Sequence, residues 1–108
     1  ASGLQYEVLV AAEGEKPSRD STVRSHYHGT LINGTVFDSS VERGETISFP
    51  LNRVIPGWTE GVQLMKIGGK AKLTCPPNIA YGARGAGGVI PPNATLQFEV
   101  ELIAIAGR

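Results

Sequence analysis

The stretch that decides the fold is VIPGWTEGVQLMK, residues 54–66, the one segment of the chain with a helical pattern. Trp58, Val62 and Met65 recur at positions i, i+4 and i+7, so they share one face of a helix. Pro56 suits the first helical turn, where a missing N–H costs little. Nearly all of the remaining chain alternates with period two, so we expect this helix to bury its apolar face against a β-sheet.

Strands are predicted on both sides of the helix, which Gly68-Gly69 is expected to end. The strongest hairpin signal is Asn33-Gly34, which suits a type I′ turn because both residue types tolerate positive φ. Pro50 predicts an edge strand or a break in pairing, because proline cannot donate to a central ladder. The polar segment 39–46 is predicted to be a loop or a bulge. Alternation of apolar and polar residues predicts strands over residues 4–10, 23–31, 35–38, 47–51, 70–75 and 95–105.

These patterns predict an α+β fold, an antiparallel sheet of about five strands wrapped around one short helix. With 108 residues, 41% of them hydrophobic and 19% charged, the chain is predicted to form a single domain over residues 1–108. A formal net charge of zero argues against binding to nucleic acid or acidic membranes, whose partners are usually basic on one face. No apolar run approaches the ~20 residues that a membrane-spanning helix needs.

A reactive centre is not evident in the sequence. His26 and His28 share the polar face of one strand, but no serine has the context of a nucleophile, and no Cys, Asp or Glu on that strand completes a metal site. We therefore expect exposed histidines, no metal and no cofactor. Cys75, the only cysteine, is predicted to be an inert core thiol. The glycine-rich segment 85–88 is a weak phosphate-binding signal, because the prolines that follow it cannot open a helix.

The aromatic side chains leave two interpretations open. Most lie on predicted strands, while one begins the helix and another lies in the long irregular segment 76–92. They form either an ordinary core or the wall of an apolar pocket with few polar groups, the usual form of a small-ligand site. The seven aromatic residues are Tyr6, Tyr27, Phe37, Phe49, Trp58, Tyr81 and Phe98.

Several motifs, collinear over essentially the whole chain, resemble the FKBP-type peptidyl-prolyl cis-trans isomerases. The opening SGLQY and the run VIPGWTE look most like the C-terminal catalytic domain of the bacterial macrophage-infectivity-potentiator-like subgroup. The matching motifs are VRSHYHGTLINGTVFD at 23–38, VIPGWTEG at 54–61, AYGA at 80–83, GVIPP at 88–92 and TLQFEVEL at 95–102.

The resemblance implies a pocket floored by Trp58 that binds a prolyl amide without covalent chemistry. Its polar groups would be the Ile55 N–H, the Tyr81 hydroxyl and the Asp38 carboxylate. The residues implied to act in catalysis are Asp38, Tyr81, Phe37, Trp58 and Phe98. The residues implied to bind substrate or inhibitor are Tyr27, Phe37, Asp38, Arg43, Ile47, Val54, Ile55, Trp58, Tyr81, Val89, Ile90 and Phe98.

Two positions depart from the family pattern. Ile47 stands where many members carry an aromatic wall residue, and Ala86 stands where the best-known eukaryotic members carry a larger side chain. We expect the first difference to loosen the pocket wall. We expect the second to alter the affinity for macrolides but not the core reaction.

The function implied by the resemblance is acceleration of rotation about Xaa-Pro bonds during protein folding. The alternatives are a catalytically weak prolyl- or macrolide-binding module or chaperone domain of the same fold, and an unrelated β-rich interaction domain. Implied partners are proline-containing peptides and unfolded proteins, with tacrolimus and rapamycin as inhibitors, in the cytoplasm or the bacterial periplasm. No coiled-coil pattern or exposed helical stripe is present, so we expect this fragment to be a monomer. In the subgroup a helical dimerisation region often precedes this domain, which implies that the full-length protein is a dimer.

Overall fold

An antiparallel sheet with one helix packed against it forms the body of the molecule, confirming the predicted fold class. The computed structural model describes residues 3–86 and 89–106. Its strands are β1 Gln5–Val10, β2 Thr22–Leu31, β3 Val36–Ser39, β4 Ile47–Pro50, β5 Lys70–Cys75 and β6 Leu96–Ile105. Its α-helices are α1 Ser40–Arg43 and α2 Pro56–Val62, and three short 3-10 helices span Leu51–Arg53, Pro77–Ile79 and Gly82–Arg84.

The sheet runs in the order β1–β5–β6–β2–β3, and β4 also pairs with β2. The first part of β2 pairs with β4, and its last part pairs with β3, so the two short strands share one edge. Pro50 ends β4, which pairs with β2 alone among the described strands. The predicted edge position is therefore confirmed. No helix in the described ranges is long and apolar enough to cross a membrane.

The apolar face of α2 lies on the inner face of the sheet. Trp58, Val62 and Met65 are 4%, 0% and 2% exposed, as their spacing predicts. The inward positions of β2 alternate with exposed or half-buried ones, as expected for a sheet with one covered face. The buried apolar residues contributed by β6 are Leu96, Phe98, Val100, Leu102 and Ile105.

Two glycines let α2 approach β5 closely. A Cβ at Gly57 would lie 2.4 Å from Cys75 Sγ, and a Cβ at Gly61 would lie 2.8 Å from a methyl group of Leu73. Glycine inside a helix usually costs about 0.5–1 kcal/mol relative to alanine. Here the absent side chains bring the helix backbone against the sheet, which sets the depth at which the Trp58 ring lies.

The turn between β2 and β3 differs from the predicted type I′ hairpin. Gly34 has a φ of 91°, but Asn33 does not share the positive φ that a type I′ turn requires, since Asn93 is the only such non-glycine residue described. The Gly34 N–H donates to Leu31 O over 2.9 Å, and the Leu31 N–H donates to Thr35 O over 2.8 Å. Residues 32–34 therefore form a three-residue hairpin loop, in which a turn is followed by a glycine in the left-handed conformation. This loop geometry also matches the twist of the two strands it connects.

The predicted loop at 39–46 contains the one-turn helix α1. Ser39 caps it, with its Oγ accepting a hydrogen bond from the Glu42 N–H, and Gly44 ends it at a φ of 74°. The end of α2 also differs, because the helix stops at Val62 rather than at Gly68. The chain then tightens into i→i−3 bonds, the usual way in which a last turn satisfies its free carbonyls.

A β-bulge near the end of β6 explains an irregularity in the sequence pattern. The register of β2 against β6 shifts between Arg24 and Ser25, whose partners are Ala104 and Leu102. Ile103 is therefore the extra residue. Before it the inward-facing residues of β6 are even-numbered, and beyond it they are odd-numbered. Ile105 consequently joins the core at 2% exposure.

We expect Gly57→Ala to lower the free energy of unfolding by about 1–3 kcal/mol, because the new methyl group overpacks the contact with Cys75. The double variant with Cys75→Ala removes the sulfur and should recover part of this loss. Urea unfolding of both single variants and the double variant measures the coupling, expected to be at least about 0.5 kcal/mol. Strict additivity would contradict the close contact.

Candidate functional site

Five aromatic rings pack edge to face in one cluster with Trp58 at its centre. Its centroid lies 5.5 Å from that of Tyr27, 5.2 Å from that of Phe49 and 5.5 Å from that of Phe98, with interplanar angles of 85°, 65° and 89°. Phe37 extends the cluster, since its ring lies 5.5 Å from Phe98 at 88°. Edge-to-face pairs are worth about 0.5–1.5 kcal/mol beyond their buried area. The cluster therefore holds its rings in defined orientations.

These rings form the floor and walls of an open cavity of about 450 Å³. Trp58 is almost fully buried, as a floor must be, whereas Tyr81 is 42% exposed at the rim. Both interpretations of the aromatics therefore hold, because the same rings are core on one side and pocket on the other. The lining residues are Tyr27, Phe37, Asp38, Phe49, Arg53, Val54, Ile55, Trp58, Tyr81 and Phe98.

The start of α2 fixes one wall of the pocket. The Thr59 hydroxyl donates to Leu51 O over 2.5 Å and so ties the helix to the preceding 3-10 helix. Ile55 lies between these elements, and its carbonyl accepts hydrogen bonds from the N–H groups of Trp58 and Thr59. Within the described residues, the Ile55 N–H and the Tyr81 hydroxyl have no hydrogen-bond partner. Both remain available to a ligand in the pocket they line.

Phe37 reaches the pocket because it passes over a glycine. A Cβ at Gly29 would lie 2.6 Å from the Phe37 ring, so any side chain there would displace it. Gly29 pairs with Phe98 on β6, which places the rings of Phe37 and Phe98 side by side. The pairing of β2 with both neighbours thus assembles this wall.

The single acidic group in the lining is held by two partners. Arg43 Nη1 donates to Asp38 Oδ1 over 2.5 Å, and the Tyr27 hydroxyl donates to Asp38 Oδ2 over 2.5 Å. Arg43 Nη2 also donates to the Tyr27 hydroxyl over 3.2 Å. Arg43 comes from the last turn of α1, so the one-turn helix that the sequence did not predict carries the partner of Asp38.

This network sets the ionisation of the pocket rim. Partial burial tends to raise the pKa of Asp38, but the hydrogen bonds from Tyr27 and Arg43 outweigh it and hold that pKa below its usual value. Burial, together with the hydrogen bond to Asp38, raises the pKa of Tyr27. The hydrogen bonds to Tyr27 and Asp38 raise the pKa of Arg43. At neutral pH the rim therefore holds an ionised, compensated pair.

Four of the residues implied to bind ligand lie outside the lining. Arg43 acts behind it through Asp38 and Tyr27. Ile47 packs partly buried against the core from β4, where it pairs with Ser25. Ile90 is a core residue bonded through its backbone to Ala86, and Val89 is 56% exposed. Residues 87 and 88 of the glycine-rich segment 85–88, which precedes Val89, lie outside the described residues.

Two lining residues were not identified from the sequence. Phe49 supplies the aromatic wall that Ile47 does not, and it lies two residues further along the same face of β4. The alternation in that strand could have indicated it. Arg53 directly precedes the predicted wall residue Val54, but no sequence pattern shows that its side chain borders the pocket.

The histidines do not assemble a reactive centre with Asp38. His26 Nδ1 lies 3.0 Å from Ser40 Oγ, and His28 Nδ1 lies 2.9 Å from Ser39 Oγ. Both histidines are half-buried, so the prediction that they are exposed is wrong, because α1 packs its serines against β2. In residues 3–86 and 89–106, no three His, Cys, Asp or Glu side chains are grouped to hold a metal ion.

The cysteine has the environment of a structural thiol. Cys75 is fully buried, and burial followed by the nearby charge of Glu60 raises its pKa to about 12. A thiol with so high a pKa is not a nucleophile near neutral pH. The prediction that it is an inert core residue is consistent with this position.

Comparison with known proteins places these features in a family. The family model described as FKBP-type peptidyl-prolyl cis-trans isomerase matches residues 13–103. The FKBP-type 22 kDa peptidyl-prolyl cis-trans isomerase of Escherichia coli is 59% identical over 104 residues, which cover 96% of this chain and 50% of that protein. FK506-binding protein 1 of Dictyostelium discoideum is 55% identical over 103 residues, which cover 94% of this chain and 96% of that protein.

A solved structure agrees with the fold. The crystal structure of FkpA from Escherichia coli has a TM-score of 0.91 and 54% identity, covering 95% of this chain and 48% of that one. The chain thus spans about half the length of that 22 kDa relative and of the FkpA chain.

We expect the Asp38 carboxyl, followed by side-chain ¹³C NMR, to titrate below its usual pKa of 3.8. Arg43→Gln and Tyr27→Phe should each raise this pKa, because each removes a hydrogen bond that favours the carboxylate. A folded-state pKa below the unfolded value adds stability above about pH 4, which is lost as the pH falls through the folded-state pKa. Arg24→Gln removes an equal charge from the opposite face of β2 and serves as the control. A wild-type pKa at or above 3.8 would contradict the network.

Proposed function

Because the chain belongs to the family of FKBP-type peptidyl-prolyl cis-trans isomerases, we propose that it accelerates rotation about Xaa-Pro bonds in peptides and unfolded proteins. The observation that carries this proposal is the pocket itself. Aromatic rings surround a floor at Trp58, and the acid in the lining is compensated by Arg43. Such a site suits a reaction that breaks no covalent bond.

The physical basis of the reaction is the difference between a planar and a twisted amide. Rotation about the bond must cross a barrier of ~18–20 kcal/mol, because twisting breaks amide resonance. The planar amide is more dipolar than the twisted one, so an apolar site that excludes water disfavours the planar form relative to the twisted form. This is catalysis by differential binding, and each ~1.4 kcal/mol of preference gives a tenfold increase in rate.

The lining residues divide into those that hold the proline ring and those that orient the amide. Three ring methylenes buried against Trp58, Phe37 and Phe98 contribute roughly 2.4 kcal/mol at about 0.8 kcal/mol each, enough for weak and generic capture. The free Ile55 N–H and the Tyr81 hydroxyl are suited to donate to substrate carbonyls. In this proposal Asp38 orients and polarises the site and does not act as an acid or a base.

Residues 1–108 act as a single domain in this proposal, and as a monomer in isolation. Dimerisation of a longer protein through a preceding helical region stays a prediction from the family resemblance, as does a location in the cytoplasm or the periplasm. The relative in Dictyostelium discoideum bears the name FK506-binding protein 1. Its identity to this chain supports binding of tacrolimus or rapamycin in the same pocket.

A binding module of the same fold without useful turnover is the second candidate. Ile47 favours it to a limited degree, because that side chain packs against the core and contributes nothing to the lining. Phe49 fills the wall instead and packs against both Tyr27 and Trp58. The pocket is therefore closed on that side by an aromatic ring, which favours the catalytic proposal.

We expect the purified chain to accelerate cis-to-trans conversion of a short Xaa-Pro peptide in a protease-coupled assay. Asp38→Val and Tyr81→Phe should each lower kcat/KM by about tenfold, equivalent to ~1.4 kcal/mol, with little loss of stability. Trp58→Ala should lower both activity and stability, because it removes the ring at the centre of the cluster. Glu99→Gln, an exposed carboxylate on the other face of the sheet, is the control. A rate equal to the spontaneous one would contradict the enzymatic proposal.

Binding of tacrolimus should change the fluorescence of Trp58, the only tryptophan in the chain. The ring forms the pocket floor, so a bound macrolide displaces water from its face and alters its surroundings. Calorimetry in parallel establishes the concentration at which the site is full. Unchanged emission at that concentration would contradict the assignment of the pocket.

A further inference from the structure

The charge balance of the pocket rests on one arginine outside the Asp38 network. Asp38 is neutralised by its ion pair with Arg43, and its second oxygen accepts from Tyr27. The lining then contains one further charged side chain, Arg53. Within the described residues the Arg53 side chain makes no ion pair or hydrogen bond. The rim of the pocket therefore carries an uncompensated positive charge.

The position of Arg53 places this charge beside the proposed substrate. Arg53 is exposed and ends the 3-10 helix that begins at Leu51. It is followed directly by Val54 and Ile55, which line the pocket, and the Ile55 N–H is free to bind a carbonyl. Because Arg53, Val54 and Ile55 line one cavity, a peptide bonded to that N–H shares this cavity with the guanidinium.

The surrounding charges do not cancel this one. A neighbouring groove shares Val54 with the pocket and contains one side chain of each sign, Arg19 and Glu60, so it adds no net charge. Asp20 accepts a hydrogen bond from Asn52 over 3.3 Å and lies outside both linings.

We propose that Arg53 is a specificity-determining residue that favours substrates with a carboxylate side chain next to the proline. This inference rests on the isomerase function proposed above and names the substrate class that the pocket prefers. A guanidinium pairs well with carboxylates through its planar set of donors. Because Arg53 is solvent-exposed, the preference is modest, about two- to fivefold in kcat/KM.

The test uses acetylated and amidated peptides, so that the residue beside proline carries the only charge. Glutamate, glutamine or lysine is placed either before or after the proline, and isomerisation is followed by NMR exchange, which avoids the sequence preference of a coupling protease. We expect the wild type to favour the glutamate peptide over the lysine peptide at one of the two positions. In 1 M salt, where the screening length is about 3 Å, this ratio should fall toward one.

Substitutions at position 53 test whether Arg53 causes the preference. Arg53→Gln should remove it, Arg53→Glu should reverse it and Arg53→Lys should keep most of it. Arg24→Gln removes the same charge from the other face of the sheet and should leave the ratio unchanged. Should a variant at position 53 fail to fold, the remaining two still differ in charge and decide the matter.

The outcomes separate the two proposals. If the wild type does not accelerate the neutral glutamine peptide, both the isomerase function and the role of Arg53 are overturned. If the glutamine peptide is turned over but glutamate and lysine peptides react equally, only the role of Arg53 is overturned. If the preference persists in Arg53→Gln, another group causes it, and the inference is overturned.

Discussion

The structure depends on the close contact between α2 and β5. Gly57 and Gly61 present bare backbone to the side chains of Cys75 and Leu73, so no helix side chain separates α2 from β5 at these points. That depth brings the ring of Trp58 into edge contact with rings from β2, β4 and β6. The same contact fixes where the chain enters the helix, and hence where the free N–H of Ile55 stands. The contact between α2 and β5 thus determines both the packing of the core and the shape of the pocket.

The pocket combines an apolar floor with a polar rim whose one acid is fully engaged. An unpaired carboxylate beside so many aromatic rings would lose much of its hydration without compensation. Arg43 and Tyr27 supply that compensation, and α1 exists where it does because Ser39 caps it and Ser40 bonds to the Tyr27 N–H. A one-turn helix, too short to be stable in isolation, therefore carries the partner that sets the charge of the site. Its serines also engage the two histidines of β2, which links the outer face of the sheet to the rim.

The sequence predicts those parts of the structure in which a local pattern decides burial. The spacing of Trp58, Val62 and Met65 and the alternation in β6 each placed side chains correctly, because periodicity and one covered face suffice. The hairpin type and the end of α2 depend on which hydrogen bonds form around Gly34 and Val62, which composition does not determine. Helix α1 is too short to show a period. Whether Ile47 or Phe49 reaches the pocket, and where Arg53 points, depends on how β4 lies on β2 and how the chain turns into α2.

The central position of β6 has a consequence for how the protein is made. This last strand lies between β5 and β2 and pairs with both along most of its length. Until it is synthesised, the two halves of the sheet have no partner along their inner edges, and Phe98 is absent from the aromatic cluster. A nascent chain held at the ribosome short of residue 105 therefore has neither the complete sheet nor the pocket. A domain proposed to assist the folding of other proteins thus completes its own site only after its last strand has left the exit tunnel.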